Sequence, residues 1–171
     1  NSRNASKILD SNEGLEAVSS DGSQIVYSQG NKLYLKDIND DKSSLIADNF
    51  NDAGAHGVIS NGKKVVWLEM TNEIVFVGKN PESEIPGIYV CNTDGSDIRV
   101  ITGSRDRPID LLGFYENGVF WEFGYVEDHP EYGEVTNSLG VRHTTLDGVR
   151  KSYSVPKFTY GFALSSNGEK M

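Results

Sequence analysis

The segment IYVCNTDGSDIRVIT, from Ile88 to Thr102, constrains the fold of this chain more than any other. Its first residues are β-branched and aromatic, which favours an extended strand. Asp94-Gly95 then reverses the chain in two residues, because glycine tolerates a positive φ without steric cost. The residues from Ile98 onward return as a second strand, so the segment predicts a β-hairpin. Similar hairpins occur before and after it, which indicates a repeat protein.

The outgoing strands of these hairpins align without gaps. The aligned segments are LYLKDINDD from Leu33, IYVCNTDGS from Ile88 and VRHTTLDGV from Val141. Each alternates apolar and polar residues before a turn, as half-buried strands do. We therefore predict that Leu33, Ile88 and Val141 occupy equivalent positions in three structural units.

A second hairpin is predicted before each of these. The Asx-Gly dipeptides that mark its turn are Asp21-Gly22, Asn61-Gly62, Asn117-Gly118 and Asn167-Gly168. After the first three comes an apolar run ending in an aromatic, namely QIVYS, KKVVWLE and VFWEF. We predict that Tyr27, Trp67 and Trp121 occupy equivalent places, packed between neighbouring sheets.

Together the two hairpins predict a unit of four short antiparallel strands. Units are expected at residues 15–48, 57–103 and 110–157, with the start of a fourth at 158–171 and a leading or closing strand and linker at 1–14. Units of this size fit the blades of a β-propeller. The predicted fold class is therefore all-β, an incomplete β-propeller of about three four-stranded antiparallel blades in a single domain. A β-sandwich of evenly spaced strands is the alternative.

About three blades are fewer than the ~4–8 that close a propeller. An open wedge of three blades would leave two apolar faces without a neighbour. Two interpretations follow: the chain is a fragment of a larger propeller, or its copies join in a homo-oligomer that completes the ring.

The acidic composition bears on partners and cofactors. The net charge is −9, so a phosphate backbone would be repelled and nucleic acid is not predicted as a partner. No apolar run is long enough to span a membrane. The sequence contains no phosphate-binding glycine loop, nucleophilic serine motif or zinc-binding helix motif. It therefore predicts no cofactor, no metal and no catalytic residue.

The single cysteine, Cys91, excludes an internal disulfide. It aligns with Lys36 and Thr144, both polar, so we expect it on the more exposed face of its strand. His143 aligns with apolar residues of the other two units, which predicts a packed histidine rather than a ligand.

The repeat resembles that of the TolB-type β-propellers, which also occurs in dipeptidyl peptidase IV and prolyl oligopeptidase relatives and in microbial envelope proteins. The family pattern is Ser-Pro-Asp-Gly, an apolar strand, then Ile-Tyr-Val-x-Asp-x-Asp-Gly and a return strand ending Leu-Thr. Ile88 to Thr102 matches closely, with Asn92 at the first Asp, whereas Ser20 stands where Pro is usual and Arg142-His143 replaces Tyr-Val. The resemblance implies a propeller scaffold in an extracellular, periplasmic or cell-surface setting, and it assigns no catalytic residue.

Two long loops are predicted between second and third strands, at residues 71–87 and 124–140, and the link 49–57 joins them on the same face. Long loops on a rigid scaffold are where binding concentrates. The candidate binding residues are Glu127, Asp128, His129, Glu131 and Tyr132 in the later loop, Phe76 in the earlier loop, and His56 in the link. A solvated acidic loop and a site for a cation are alternatives for the later loop. Phe76 equally fits the core of an extended second strand.

The predicted function is a non-catalytic binding or scaffold module that recognises a protein or a carbohydrate through these loops. The alternative is the propeller portion of a hydrolase, either gating a peptidase domain or holding a polysaccharide-degrading site. The sequence beyond Met171 would discriminate them, because a hydrolase domain there favours the enzyme.

Overall fold

In the computed structural model, the residues described are 8–50, 65–79, 86–102, 107–115, 117–131 and 133–153. These ranges contain strands and turns. The strands are β1 (Gly14–Val18), β2 (Gln24–Gln29), β3 (Lys32–Asp37), β4 (Ser43–Ala47), β5 (Val65–Leu68), β6 (Glu73–Lys79), β7 (Pro86–Asn92), β8 (Arg99–Val100), β9 (Arg107–Tyr115), β10 (Gly118–His129), β11 (Gly133–Thr145) and β12 (Arg150–Tyr153). Across the described residues, no helix has the length and apolar character needed to cross a membrane.

The strands form three antiparallel sheets of four, in which each strand pairs with the next along the chain. We name them sheet A (β1–β4), sheet B (β5–β8) and sheet C (β9–β12). The all-β class and the four-stranded antiparallel units predicted from the sequence are confirmed.

The alignment of the third strands is confirmed by the register. Leu33, Ile88 and Val141 each lie opposite the fifth residue of the second strand of their own sheet. Those partners are Ser28, Val77 and Glu122. All three aligned residues are fully buried, with 0% of their surface exposed. The second and third strands of the three sheets are therefore structurally equivalent at these positions.

The first hairpin of sheet B differs from the sequence prediction. Trp67 lies on β5, the first strand, whereas Tyr27 and Trp121 lie on the second strands of their sheets, so the predicted equivalence of Trp67 is wrong. Phe76 on β6 holds that place instead, opposite Tyr89. The turn between β5 and β6 is made at Asn72, whose φ is 57°, while Asn61-Gly62 lies outside the described residues. Asparagine tolerates this left-handed conformation, and the turn lets both flanking apolar runs enter the sheet.

Sheet B lies between the other two sheets. Because neighbouring residues of a strand point to opposite faces, each sheet has two faces. We call the face bearing Tyr27, Phe76 or Trp121 the front face, and the other the back face. One core joins the back of sheet A to the front of sheet B, through residues that include Val26, Leu33, Ile74 and Phe76. A second core joins the back of sheet B to the front of sheet C, through residues that include Val75, Ile88, Leu111 and Trp121.

Burial on both faces of sheet B explains why the expectation for Cys91 was wrong. Cys91 lies on the front face of sheet B, in the first core, and none of its surface is exposed. Thr144, its equivalent in sheet C, is also fully buried and accepts a hydrogen bond of 2.9 Å from the indole Nε1 of Trp121. Alternation of apolar and polar residues predicts an exposed position only where one face of the sheet is open to solvent, and both faces of sheet B are covered.

Contacts between turns hold neighbouring sheets in register. The carboxylate of Glu69, between β5 and β6, accepts hydrogen bonds from the backbone N–H and the hydroxyl of Ser20 in sheet A, at 2.6 and 2.7 Å. Gly95, between β7 and β8, crosses over β4 with a φ of 81°. A Cβ there would lie 2.9 Å from the carbonyl oxygen of Ile46, so only glycine fits this crossing.

Candidate functional site

The predicted loop at residues 124–140 is a β-hairpin. β10 and β11 stay paired in an unbroken ladder from Gly124 opposite Ser138 to His129 opposite Gly133. β9 reaches only as far as Gly124, and β12 pairs with Val141 to Thr144. We call residues 124–139 the β10–β11 arm. At strand spacing, the arm extends about 17 Å past Gly124.

A bulge separates the arm from sheet C. Phe123 lies opposite Gly140, but the next pair is Gly124 with Ser138, so Leu139 is an extra residue on β11. Gly140 has a φ of 151°, and 54% of the Leu139 surface is exposed. An inserted residue bends the strand and increases its twist. The bulge therefore allows the arm to leave the direction of sheet C while the ladder continues.

The structure places the candidate residues of the later loop as follows. Glu127, Asp128 and His129 are the last three residues of β10, and Glu131 is exposed in the turn between the strands. Tyr132 and His56 lie outside the described residues. Glu134, on β11, lies directly opposite Asp128. The arm thus gathers four of the predicted candidates at one end of sheet C.

Phe76 belongs to the core and not to a loop. Its ring is fully buried and stacks on Tyr89, with ring centroids 5.6 Å apart. The predicted loop at 71–87 is instead occupied by β6 and the start of β7, with residues 80–85 outside the described part. The sequence alternative in which Phe76 extends a core strand is the arrangement observed.

The equivalent places of the other sheets also hold contacts to an aromatic ring, by stacking in sheet A and by a cation in sheet C. In sheet A, Tyr27 stacks on Tyr34 with centroids 5.2 Å apart. In sheet C, the guanidinium of Arg142 lies 5.7 Å from the centroid of the Trp121 ring and 4.0 Å from that of Phe123. Such cation–π contacts are attractive when the ring face is turned to the cation. Arg142 therefore braces the strands from which the arm projects.

His143 packs as the sequence predicts. It is 9% exposed and lies against Phe120, with ring centroids 4.6 Å apart. A Cβ on Gly118 would lie 2.5 Å from its Nε2, so the imidazole is tightly enclosed.

Asn49 and Phe50, two of the described residues that follow β4, connect sheet A to sheet B. The backbone N–H of Phe50 donates to the carbonyl of Asn31 at 2.8 Å, and the N–H of Lys79 donates to the carbonyl of Asn49 at 2.7 Å. Phe50 also forms a bridge with Gly78 on β6. Asn49 and Phe50 thus join the second strand of sheet B to the turn between β2 and β3 of sheet A.

Asp21 and Cys91 have the largest pKa shifts among the described residues, and both lie away from the arm. Hydrogen bonds to Asp21, first from the backbone of Ser23 and then from the hydroxyls of Ser19 and Ser23, lower the pKa of that carboxyl to about 2. Burial raises the pKa of the Cys91 thiol to about 12, so the thiol stays protonated and unreactive near neutral pH. Both perturbations follow from turn geometry and core packing rather than from a reactive site.

Within the part of the chain that is described, no three His, Cys, Asp or Glu side chains converge as metal ligands. Sequence analysis missed that the arm is a paired hairpin, although a signal was present. Pro130 and Gly133 bracket a turn, and β-branched or aromatic residues flank it on both sides. The acidic residues masked that pattern.

Comparisons with known proteins bear on the fold. No protein-family model and no curated protein matches the chain. Among solved structures, the crystal structure of a nidogen/laminin complex, which contains a β-propeller, is similar with a TM-score of 0.53 and 16% sequence identity. The match covers 92% of this chain and 52% of that one, so this chain spans about half the length of the matched protein. At this identity the likeness concerns the fold alone.

Proposed function

We propose that this chain is a non-catalytic binding module whose β10–β11 arm recognises a protein partner. The observation that carries the proposal is the paired ladder of the arm, which continues from Gly124 to His129 past the described ends of β9 and β12. A projecting structure held by a rigid base is well suited to recognition. The matched solved structure is itself a complex of proteins, which agrees with a protein partner.

The proposal includes the arrangement of the scaffold. Sheets A, B and C are interpreted as successive blades of a β-propeller, in which the front of each blade packs on the back of the one before. The stacking order and the likeness to a propeller-containing structure support this interpretation. Further blades would come from additional chain or from other copies. The resemblance to TolB-type repeats extends the proposal to an extracellular, periplasmic or cell-surface setting.

The test removes the arm without disturbing sheet C. Phe123 and Gly140 are paired, so replacing residues 124–139 by Asn-Gly closes the hairpin with a two-residue turn. A random peptide library displayed on phage is selected on the whole chain, and the affinities of the selected peptides are measured for both proteins. We expect the shortened protein to lose binding to most of them by at least about tenfold.

Fluorescence of the buried Trp121 and far-UV circular dichroism establish that the shortened protein is folded. Selected peptides that bind the folded, shortened protein as tightly as the whole chain would contradict the proposal.

A further inference from the structure

The front face of sheet A differs from those of sheets B and C. One first-strand residue in each sheet lies opposite the front-face aromatic of the second strand, namely Leu15, Val65 and Leu111. Val65 and Leu111 are 1% and 0% exposed, because each lies in a core between two sheets. Leu15 is 57% exposed. Among the sheets that the structure describes, none therefore covers this margin of sheet A.

The middle of the same face is nevertheless shielded. Tyr27 and Ile25, both on β2, are only 6% and 3% exposed. They stand on the front face, and so does Lys36 on β3, which lies directly opposite Ile25. Burial of the centre beside an exposed margin indicates a covering that is narrower than a sheet.

Residues 8–13 supply such a covering, and we call them the strap. The Nζ of Lys36 donates a hydrogen bond of 3.0 Å to the backbone carbonyl of Ile8. The carboxylate of Asp41 lies 2.6 Å from the same Nζ, and 17% of the Lys36 side chain is exposed. Leu9, the next residue of the strap, is half-buried. One end of the strap is thus held at the third strand of sheet A.

The order of the strands gives the path of the strap. Ile8 is held from β3, whereas Gly14, directly after the strap, begins β1. In the sheet, β2 lies between β1 and β3. Because the side chain of Lys36 stands on the front face, the strap passes in front of β2, over Ile25 and Tyr27.

We propose that the strap is a guard against self-association, which keeps the front face of sheet A from packing on the front face of a second copy of this chain. Displacing the strap would uncover the apolar centre of the face, next to residues that are already exposed, Leu15, Val18 and Leu45. Large exposed apolar patches mark protein interfaces. The strap does not involve the β10–β11 arm, so this proposal and the proposed function stand or fall separately.

A second copy is the occupant that the faces and the charges favour. The two cores cover the back of sheet A, both faces of sheet B and the front of sheet C, and on the back of sheet C Phe120 and Val141 are 5% and 0% exposed. Of the described faces, a copy can therefore offer only the same front face, which gives a symmetric dimer. The described residue pairs on this face contain no aspartate or glutamate, so the repulsion between chains of net charge −9 is weakest there.

Sedimentation velocity across a dilution series tests the strap with three proteins: the full chain, a chain that begins at Ile8 and a chain that begins at Glu13. The second keeps the strap, whereas the third removes all but its last residue and leaves β1 whole. We expect the third to dimerise with a dissociation constant at least about tenfold lower than that of either of the others. Circular dichroism establishes that each protein is folded.

A substitution tests the strap without shortening the chain. Lys36→Ser removes the donor to the carbonyl of Ile8 and adds no apolar surface. Lys42→Ser is the matched control, at a lysine that is 81% exposed and lies 2.7 Å from Asp40. Each variant changes the net charge from −9 to −10. We expect K36S to dimerise at least about tenfold more tightly than K42S.

Leu45→Lys, combined with Lys36→Ser, locates the interface. It is expected to abolish the dimer, because the two-fold axis would bring a charged side chain from each copy into an apolar contact. Val149→Lys, at a residue 64% exposed on another sheet, is the control and should leave the dimer intact. Equal dimerisation of the full chain and the chain beginning at Glu13, equal dimerisation of the two shortened chains, equal behaviour of K36S and K42S, or a dimer that survives Leu45→Lys would each overturn the proposal.

Discussion

Single residues in this chain are constrained most where backbones approach each other. Gly78 on β6 lies against Asn49, and a Cβ there would lie 2.8 Å from Cδ2 of Tyr89 and 3.0 Å from the carbonyl oxygen of Asn49. Its pairing partner in the register is Gly87, where the nearest atom to a Cβ is Cγ2 of Val100 at 3.3 Å. Gly78 and Gly87 are therefore paired in the sheet, but only at Gly78 would a Cβ crowd a main-chain atom.

Gly78→Ala is therefore expected to lower the free energy of unfolding by about 1–3 kcal/mol, because a backbone carbonyl and a stacked ring must shift. Gly87→Ala is the matched control and should change it by less than about 1 kcal/mol, since side-chain atoms of Val100 can move slightly. Urea denaturation followed by circular dichroism measures both. Equal losses in the two variants would mean that the Asn49 carbonyl does not restrict the space at Gly78.

Asp21 is expected to make stability depend on acid pH. Its pKa is about 2 in the folded chain against an ordinary value of 3.8, so the unfolded chain binds the proton first. The stabilisation is present above about pH 4 and is lost as the pH falls towards about 2. Asp21→Asn should flatten this part of the profile of unfolding free energy against pH.

NMR titration of the Asp21 carboxyl measures the pKa directly. Ser23→Ala removes a hydroxyl donor to Asp21 and is expected to raise that pKa towards 3.8. If the unfolding free energy of both variants depended on acid pH as it does in the unmodified chain, the hydrogen bonds of this turn would not stabilise the Asp21 carboxylate in solution.

At the scale of elements, local signals predict some strands and fail for others. The third strands were correctly aligned from Leu33, Ile88 and Val141, because buried β-branched and aliphatic residues recur there at one spacing. The second strand of sheet B was misplaced, because Asn61-Gly62 is a strong local turn signal while the choice of strand depends on packing between sheets. The arm was predicted as a loop because its charges hid two short extended runs.

The arm is expected to open independently of the sheet that carries it. Beyond Gly124, β10 pairs only with β11 in the described part of the chain, whereas Val119 and Trp121 are fully buried in a sheet of four strands. Amides of residues 126–129 should therefore exchange with solvent at least about tenfold faster than those of residues 119–123. Mass spectrometry of hydrogen exchange with peptide-level resolution makes the comparison within one strand. Uniform exchange along β10 would show that the arm is as stable as the sheet.

For the whole molecule, the repeat and its strand number were predictable from sequence, whereas the burial of both faces of sheet B was not. Both faces of sheet B are buried because sheets A and C pack against it, and the apolar periodicity within one unit does not predict which sheets pack together. Trp67 packs against the first core and Trp121 lies in the second, and these are the only tryptophans in the chain. The fluorescence of Trp67 therefore reports on the junction of sheets A and B, and that of Trp121 on the junction of sheets B and C.

Ile88→Ala is expected to destabilise both junctions together. Ile88 is fully buried on the back face of sheet B, and its truncation should cost about 2–5 kcal/mol. In backgrounds carrying only Trp67 or only Trp121, the unfolding midpoints should fall by the same amount, because sheet B is common to both cores. Val149→Ala, at a residue 64% exposed, is the control and should move neither. A shift confined to Trp121 would show that the sheets unfold one by one.

The glycine crossing at Gly95 makes the junction between sheets A and B tighter than the junction between sheets B and C. Sheets B and C place Gly95 and Gly148 at the crossing, whereas sheet A has Asp40 at the equivalent step of its turn. A side chain at Gly95 would collide with the main chain of β4, whereas a Cβ at Gly148 would lie 3.9 Å from the carbonyl oxygen of Ile101, so the tight crossing belongs to the junction of sheets A and B. An engineer who put the Asp40 turn of sheet A in place of the Gly95 turn would therefore force β4 to shift, whereas the same exchange at Gly148 would meet no main-chain atom closer than 3.9 Å.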